Sequence, residues 1–270
     1  MDFSKIVRKS LADYRANPVL LVPPLVAFLV STLTSATLPR TSTGVGFPTI
    51  TSSLLMTGFG MIFLSLVVSF LVILGQASMS GKTVSEGKTK LADWGSGVRR
   101  YFFRVLGIGL VFLGIVFVLF MIVGIAYALT ILPKLITPEG IVTPPTTSAT
   151  VAAQPVFTLA TTLIFTVTQS VFYVWLASAI IDNKGVGTSL DIGLRTIRRN
   201  FRTFLEFMAL FFIVSVIVTV IGDLSALIGI SVQPLVGSLT STSIVSQIIE
   251  KIFSPLWFLI AFELYHETEA

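Results

Sequence analysis

The chain has 270 residues, of which 54% are hydrophobic and only 11% are charged. A soluble domain usually carries about 25% charged residues because its surface is hydrated, so this composition excludes an ordinary soluble fold. The absence of cysteine excludes disulfides and thiolate metal sites, and the single histidine, His266, cannot form a histidine metal site by itself. We therefore expect neither a metal nor a cofactor.

Six apolar segments follow one another along the chain, and each is long enough to cross a hydrocarbon core of about 30 Å as a helix. In chain order they cover residues 18–38, 53–77, 104–132, 155–181, 203–229 and 240–264. The predicted fold is therefore all-α, a polytopic bundle of six spans that forms a single transmembrane domain over residues 1–270. These spans and their connections leave no room for a separate soluble catalytic domain.

Fifteen of the eighteen Lys and Arg residues lie in three short segments, which precede the first, third and fifth predicted spans. They are Lys5, Arg8, Lys9 and Arg15; Lys82, Lys88, Lys90, Arg99, Arg100 and Arg104; and Lys184, Arg195, Arg198, Arg199 and Arg202. Cytoplasmic loops carry the excess of Lys and Arg, so this pattern predicts a plasma-membrane protein with both termini in the cytoplasm. The net charge of +5 is interpreted as basic loops that face anionic inner-leaflet lipids, not nucleic acid.

The three basic segments look related to one another. Residues 11–14 read Leu-Ala-Asp-Tyr and residues 91–94 read Leu-Ala-Asp-Trp. Within 4–15 and 188–202, apolar residues recur at helical spacing on the side opposite to the Lys and Arg side chains, which is typical of helices that lie in a membrane interface. The predicted architecture is three helical hairpins, each preceded by an amphipathic interfacial helix.

Three local patterns resemble a known group of membrane proteins. They are residues 15–20 (Arg-Ala-Asn-Pro-Val-Leu); Trp175 with residues 179–186 (Ala-Ile-Ile-Asp-Asn-Lys-Gly-Val) and 198–201 (Arg-Arg-Asn-Phe); and Pro255 with Leu264-Tyr265. The chain resembles a broad archaeal and bacterial group of six-helix membrane proteins of unknown function, which is similar to the membrane domain fused to some glycerophosphodiester phosphodiesterases. The resemblance implies six helices and no catalytic residue, because the phosphodiesterase chemistry of those proteins belongs to a separate soluble barrel.

Four arginines of the third basic segment are the predicted lipid-binding or partner-binding residues: Arg195, Arg198, Arg199 and Arg202. Guanidinium groups at the cytoplasmic surface hold lipid phosphates. Arg202 precedes Glu206 by four residues, so the two side chains are expected to pair on a helix. Two interpretations stay open: ordinary anchoring at the interface, and a specific site for an anionic lipid or a membrane protein partner.

A second group of candidates lies within the predicted spans, where an uncompensated charge is costly. If Glu263 marks the inner boundary, Glu250 lies about 20 Å further along the helix, in the outer half of the hydrocarbon layer. The candidates are Glu250, Lys251, Asp223 as a partner for Lys251, Gln247, Thr162 and Gln169. They line either a polar cavity or conduction path that opens outward, or a tilted start of the sixth span in which polar side chains bond helices together.

No catalytic motif is recognised, so no catalytic residue is predicted and the protein is not expected to be an enzyme. The sequence has no His-Glu-x-x-His and no Walker A motif. Two functions stay open. One is a non-catalytic membrane module that binds lipid or a membrane partner protein, and the other is a permease or channel-like transporter with a polar path near spans four and six. The repeat is parallel, unlike the inverted repeats of many transporters, which favours the module.

Overall fold

The computed structural model describes residues 2–37, 52–135, 148–227 and 244–269, and within these ranges every regular element is helical. The α-helices are α1 (Phe3–Ala16), α2 (Val22–Thr37), α3 (Ser52–Glu86), α4 (Leu91–Leu135), α5 (Ser148–Ile181), α6 (Val186–Arg199), α7 (Phe201–Leu227) and α8 (Ile244–Glu269). A short 3-10 turn, Pro18–Leu21, joins α1 to α2. The predicted all-α fold is confirmed.

Within the described residues each predicted span overlaps a helix, but the helices differ in how well they suit a membrane. Among the described residues, four segments are long and apolar enough to cross one: Phe63–Glu86, Leu91–Ala126, Leu159–Ile181 and Phe201–Ile221. A fifth is reached only if α1 and Pro18–Leu33, bent by 90° relative to each other, count as one span. These lengths and compositions are those of a multi-pass membrane protein, while the number six stays a prediction.

Two of the three basic segments form separate amphipathic helices, α1 and α6. Each ends at an asparagine whose backbone N–H bonds to a carbonyl of the last turn: Asn17 to Asp13 at 3.0 Å and Asn200 to Thr196 at 3.1 Å. After Asn17 the chain bends by 90° into the next helical segment. After Asn200 it enters α7. The sequence repeat between Arg15-Ala16-Asn17 and Arg198-Arg199-Asn200 therefore corresponds to a repeated helix-end geometry.

The second basic segment differs from the prediction, because it does not form a helix of its own. Its residues are divided between the end of α3, the loop 87–90 and the first turns of α4. The carboxylate of Asp93 accepts the N–H of Lys90 at 2.7 Å and so caps the start of α4. Where the first segment has Asn17-Pro18, this one has Gly97-Val98, and without proline the helix continues into the span.

The buried core lies at one end of the bundle. Its side chains come from the C-terminal parts of α3, α5 and α8, the N-terminal parts of α4 and α7, and the inner faces of α1 and α6. Towards the other end, large apolar side chains such as Leu110, Phe117 and Ile213 are exposed. In a membrane these exposed surfaces face lipid, which accepts apolar side chains without a packing partner.

Two aromatic side chains at equivalent positions of the repeat link neighbouring helices. The hydroxyl of Tyr14 donates to the carbonyl of Ile252 in α8 at 2.8 Å, and Nε1 of Trp94 donates to the carbonyl of Leu71 in α3 at 3.0 Å. Pro255 has no N–H for the carbonyl of Lys251, so α8 is weakened one residue away from the carbonyl that Tyr14 binds. A side chain from a neighbouring helix thus supports the backbone near the proline.

Small residues bring α3 and α4 into close contact. A Cβ atom on Gly97 would overlap the side chain of Ser78, and one on Gly75 would overlap the ring of Trp94. Helix pairs in membranes associate through such small residues because they let the backbones approach. The start of α4 is therefore fixed against the end of α3.

We predict that Gly97→Leu lowers the free energy of unfolding in detergent micelles by about 1–3 kcal/mol, because the added side chain must displace Ser78. Gly95→Leu is the matched control, since it makes the same change two residues earlier, where a Cβ meets nothing within 4 Å. Equal stability of the two variants would contradict close packing of α3 on α4.

Candidate functional site

The C-terminal half of α8 is the central element of the bundle. Every residue from Leu256 to Tyr265 is buried, and α8 contacts α1, α2, α3, α5, α6 and α7. A helix that is enclosed on all faces is expected to be apolar throughout. Glu263 is the exception, and its side chain has no exposed surface.

Lys9 of α1 compensates the buried charge of Glu263. Its Nζ lies 2.7 Å from Oε2 of Glu263, and the Lys9 side chain remains 44% exposed. The other carboxylate oxygen, Oε1, is buried, and the carboxyl group of Asp13 on α1 also lies close to Glu263. The ion pair therefore joins the amphipathic helix α1 to the central helix at the boundary between the core and the surface.

Further polar contacts bring all three basic segments to this same end of the bundle. The side-chain amide of Asn17, at the end of α1, bonds to the α3–α4 loop through the carbonyl of Gly87 and the N–H of Thr89. At the end of α5, Asp182 accepts a hydrogen bond of 2.6 Å from the hydroxyl of Tyr265. Asn200, between α6 and α7, donates to Thr268 at 2.8 Å.

The four predicted arginines lie on α6 and on the first turn of α7. Arg195 pairs with Asp191 within α6, and Arg202 pairs with Glu206 at 3.2 Å, as the spacing predicts. Arg198 and Arg199 are exposed and form no ion pair with any residue that the structure describes. Two guanidinium groups are thus available for an external anion, while the other two are balanced by neighbouring carboxylates.

Contrary to the predicted separation of apolar and basic faces, apolar side chains of the same segment are exposed together with these arginines. Leu194, Phe201 and Leu205 are 49%, 56% and 42% exposed. They follow one another at intervals of seven and four residues across the α6–α7 junction, among the basic side chains. We call this mixed surface, formed by Leu194, Arg198, Arg199, Phe201 and Leu205, the basic–apolar surface. Such a combination suits a membrane interface, where apolar groups enter the acyl region and guanidinium groups stay at the phosphates.

The polar candidates of the predicted spans are bonded mainly to close neighbours in the chain. Lys251 lies 3.2 Å from the carboxylate of Glu250, which is 65% exposed. Gln169 donates to the hydroxyl of Tyr173, one turn further along α5, at 2.6 Å. Gln247 and Thr162 are half-buried. The side chain of Asp223 lies outside the described part of the structure, so its pairing with Lys251 stays a prediction.

Sequence reasoning missed the role of Glu263, which it treated only as a boundary marker. The signal was present, since one carboxylate interrupts the apolar run from Leu256 to Tyr265. Lys9 was grouped with the exposed basic residues because helical spacing alone does not identify which lysine turns towards another helix.

We predict that Lys9→Met destabilises the protein by about 3 kcal/mol, because it leaves the carboxylate of Glu263 buried without a counter-charge. The double variant Lys9→Met with Glu263→Met removes both charges and recovers most of this loss. Lys5→Met is the matched control, since Lys5 is an exposed residue of the same helix with no described ion pair. Unfolding in mixed detergent micelles measures the differences, and equal effects of Lys9→Met and Lys5→Met would contradict the proposed role.

Comparison with known proteins gives a family but no function. No curated protein and no solved structure matches the chain. The comparisons give no link to glycerophosphodiester phosphodiesterases, so that resemblance stays an expectation. A family model described as a domain of unknown function, DUF7847, matches residues 1–267. Because this match covers nearly the whole chain, the protein belongs to the DUF7847 family.

Proposed function

We propose that the protein is a non-catalytic module of the plasma membrane that binds the headgroups of anionic inner-leaflet lipids at its basic end. The observation that carries this proposal is the convergence of three separate basic segments on one end of the bundle. Of their fifteen basic residues, only Lys9, Lys82, Arg195 and Arg202 form ion pairs within the described part of the chain. The remaining charge is available for phosphates outside the protein.

The proposed orientation places this end in the cytoplasm, with six spans and both termini inside. The positive-inside rule supports it, since loops that stay in the cytoplasm carry the excess of Lys and Arg. The location of the core at the same end agrees with this orientation, because polar contacts such as Asn17 with Thr89 are cheaper outside the hydrocarbon than within it.

The basic–apolar surface is the proposed contact with lipid. Phe201 and Leu194 enter the acyl boundary, while Arg198 and Arg199 stay level with the lipid phosphates. Each basic side chain near an anionic surface contributes about 1 kcal/mol of attraction. A membrane protein partner with an acidic surface is the competing occupant, and the apolar exposure favours lipid because lipid requires no matching shape.

The transporter alternative receives less support from the geometry. A conduction path needs polar groups that face a common passage, whereas Gln169 bonds to Tyr173 on its own helix and Lys251 bonds to the adjacent Glu250. These local pairs satisfy the polar groups without a passage between helices.

The orientation predicts the side from which single cysteines are labelled in intact cells. The natural chain has no cysteine, so a substituted one is the sole target of a maleimide that does not cross membranes. Lys184→Cys is expected to react only after the cells are opened, and Thr147→Cys, in the segment between the third and fourth predicted spans, is expected to react from outside. The reverse pattern would refute the orientation.

The lipid contact predicts that Arg198→Gln weakens binding of phosphatidylglycerol by about fivefold, the loss expected for one interfacial charge. Native mass spectrometry of the purified protein with added lipid measures this affinity, and rising salt is expected to reduce it. Lys251→Gln is the control, since it also removes one positive charge, but from the N-terminal half of α8 and not from the basic–apolar surface. If both variants lose affinity equally, total charge and not this surface determines binding.

A further inference from the structure

A polar cavity of about 330 Å³ lies between α3 and α4, apart from the basic–apolar surface. It is lined by the last turns of α3, the first turns of α4, and Ile180 and Ile181 at the end of α5. This volume is at the lower end of the range of about 300–1,000 Å³ typical of small-molecule sites. The cavity belongs to the end of the bundle that carries the basic segments.

Short side chains line much of this space on both helices. The walls contain Ser78, Gly81 and Ser85 from α3, and Ser96 and Gly97 from α4. The hydroxyl groups of Ser78 and Ser96 both donate to the carbonyl of Asp93, at 3.3 and 3.2 Å. Their oxygen lone pairs remain as acceptors.

One ion pair at the cavity is already complete. Lys82 lies 2.8 Å from Asp93, whose carboxylate also accepts from the N–H of Lys90 at 2.7 Å and from the hydroxyl of Thr89 at 3.2 Å. Both oxygens of Asp93 are therefore engaged within the protein. This pair positions the start of α4 and contributes little net charge to the cavity.

Two charged side chains of the lining, Glu86 and Arg100, have no close ion-pair partner among the described residues. The carboxylate of Glu86 is 62% exposed, and within the described ranges its nearest cation is Lys82 at 3.8 Å, beyond hydrogen-bond distance. Arg100 forms no ion pair with a described residue, and its guanidinium lies 5.3 Å from the ring centre of the adjacent Tyr101. The cavity thus offers separate positions for a negative and a positive group of a ligand.

We infer that this cavity binds a zwitterionic phospho-amine, with the phosphate on Arg100 and the primary ammonium on Glu86. Guanidinium groups bind phosphate with strong, charge-assisted hydrogen bonds, and the serine oxygens add acceptors for the ammonium. A ligand with a phosphate but no amine gives Glu86 no new partner beyond Lys82 and places a like charge near it, so it binds less well. The same chemistry occurs in the headgroup of phosphatidylethanolamine and in soluble O-phosphoethanolamine.

The test compares three ligands on the purified full chain by native mass spectrometry: short-chain phosphatidylethanolamine, short-chain phosphatidylglycerol and O-phosphoethanolamine. We expect phosphatidylethanolamine to bind more tightly than phosphatidylglycerol at this site. Competition by O-phosphoethanolamine shows that the headgroup chemistry alone suffices, whereas retained lipid binding without competition assigns the site to the intact lipid. Equal affinity for the two lipids in the Arg198→Gln variant, whose basic–apolar surface is weakened, or no binding of any of the three ligands, would overturn the inference.

Substitutions of the residues that line the cavity test whether phosphatidylethanolamine binds there. Arg100→Gln is expected to weaken binding of phosphatidylethanolamine by about tenfold or more, as for the loss of a charged hydrogen bond. Glu86→Gln is expected to abolish the preference over phosphatidylglycerol, and Ser96→Leu to block binding by filling the cavity without a change in charge. Arg99→Gln is the matched control, because Arg99 is exposed and does not line the cavity.

Two further comparisons distinguish binding at the cavity from nonspecific attraction by total charge and from binding at the basic–apolar surface. Arg198→Gln is expected to leave binding of phosphatidylethanolamine at the cavity unchanged, so the two sites fail independently. If Arg99→Gln weakens binding as much as Arg100→Gln, or if Ser96→Leu binds normally, the cavity is not the site. Melting temperatures of the variants without ligand show whether each one is folded.

Discussion

Burial of the C-terminal half of α8 on every side is the constraint on which the arrangement of the other helices depends. Of the other α-helices that the structure describes, six of seven pack on α8. An enclosed helix tolerates a charge only if a partner neutralises it, and the partner of Glu263 comes from α1, at the opposite terminus. The Lys9–Glu263 pair thus connects the two ends of the chain and requires α1 to leave the open interface and pack on the core.

The repeat in the basic segments has a physical basis that sequence similarity alone does not reveal. Tyr14 and Trp94 occupy equivalent positions, and both donate to a backbone carbonyl of a neighbouring helix. In both segments the aromatic side chain is long enough to reach the backbone of a neighbouring helix. The repeated Asp-Tyr and Asp-Trp pairs therefore link the first two basic segments to a neighbouring helix, in addition to the helix periodicity.

Local features of the sequence predict the helices well, whereas contacts between helices are harder to predict from the sequence. Apolar length predicts that the chain is all-helical, while the number of six spans stays a prediction. The i to i+4 spacing predicts the pair of Arg202 with Glu206. α4 continues through Gly97-Val98, whereas α1 ends at the equivalent pair Asn17-Pro18. The spacing of apolar residues does not reveal this difference. The Lys9–Glu263 pair and the cavity beside Lys82 depend on packing between distant segments, and no spacing rule gives their positions.

The length of α4 gives the protein a mechanical property that follows from its geometry. With 45 residues, α4 measures about 68 Å, more than twice the thickness of the hydrocarbon core. One end of this rod is held against α3 by Gly97 and Ser78 and carries the cavity, while much of the remaining length has few neighbours inside the protein. A small change of angle at the held end therefore displaces the distant end of α4 by an amount that grows with the length of the helix.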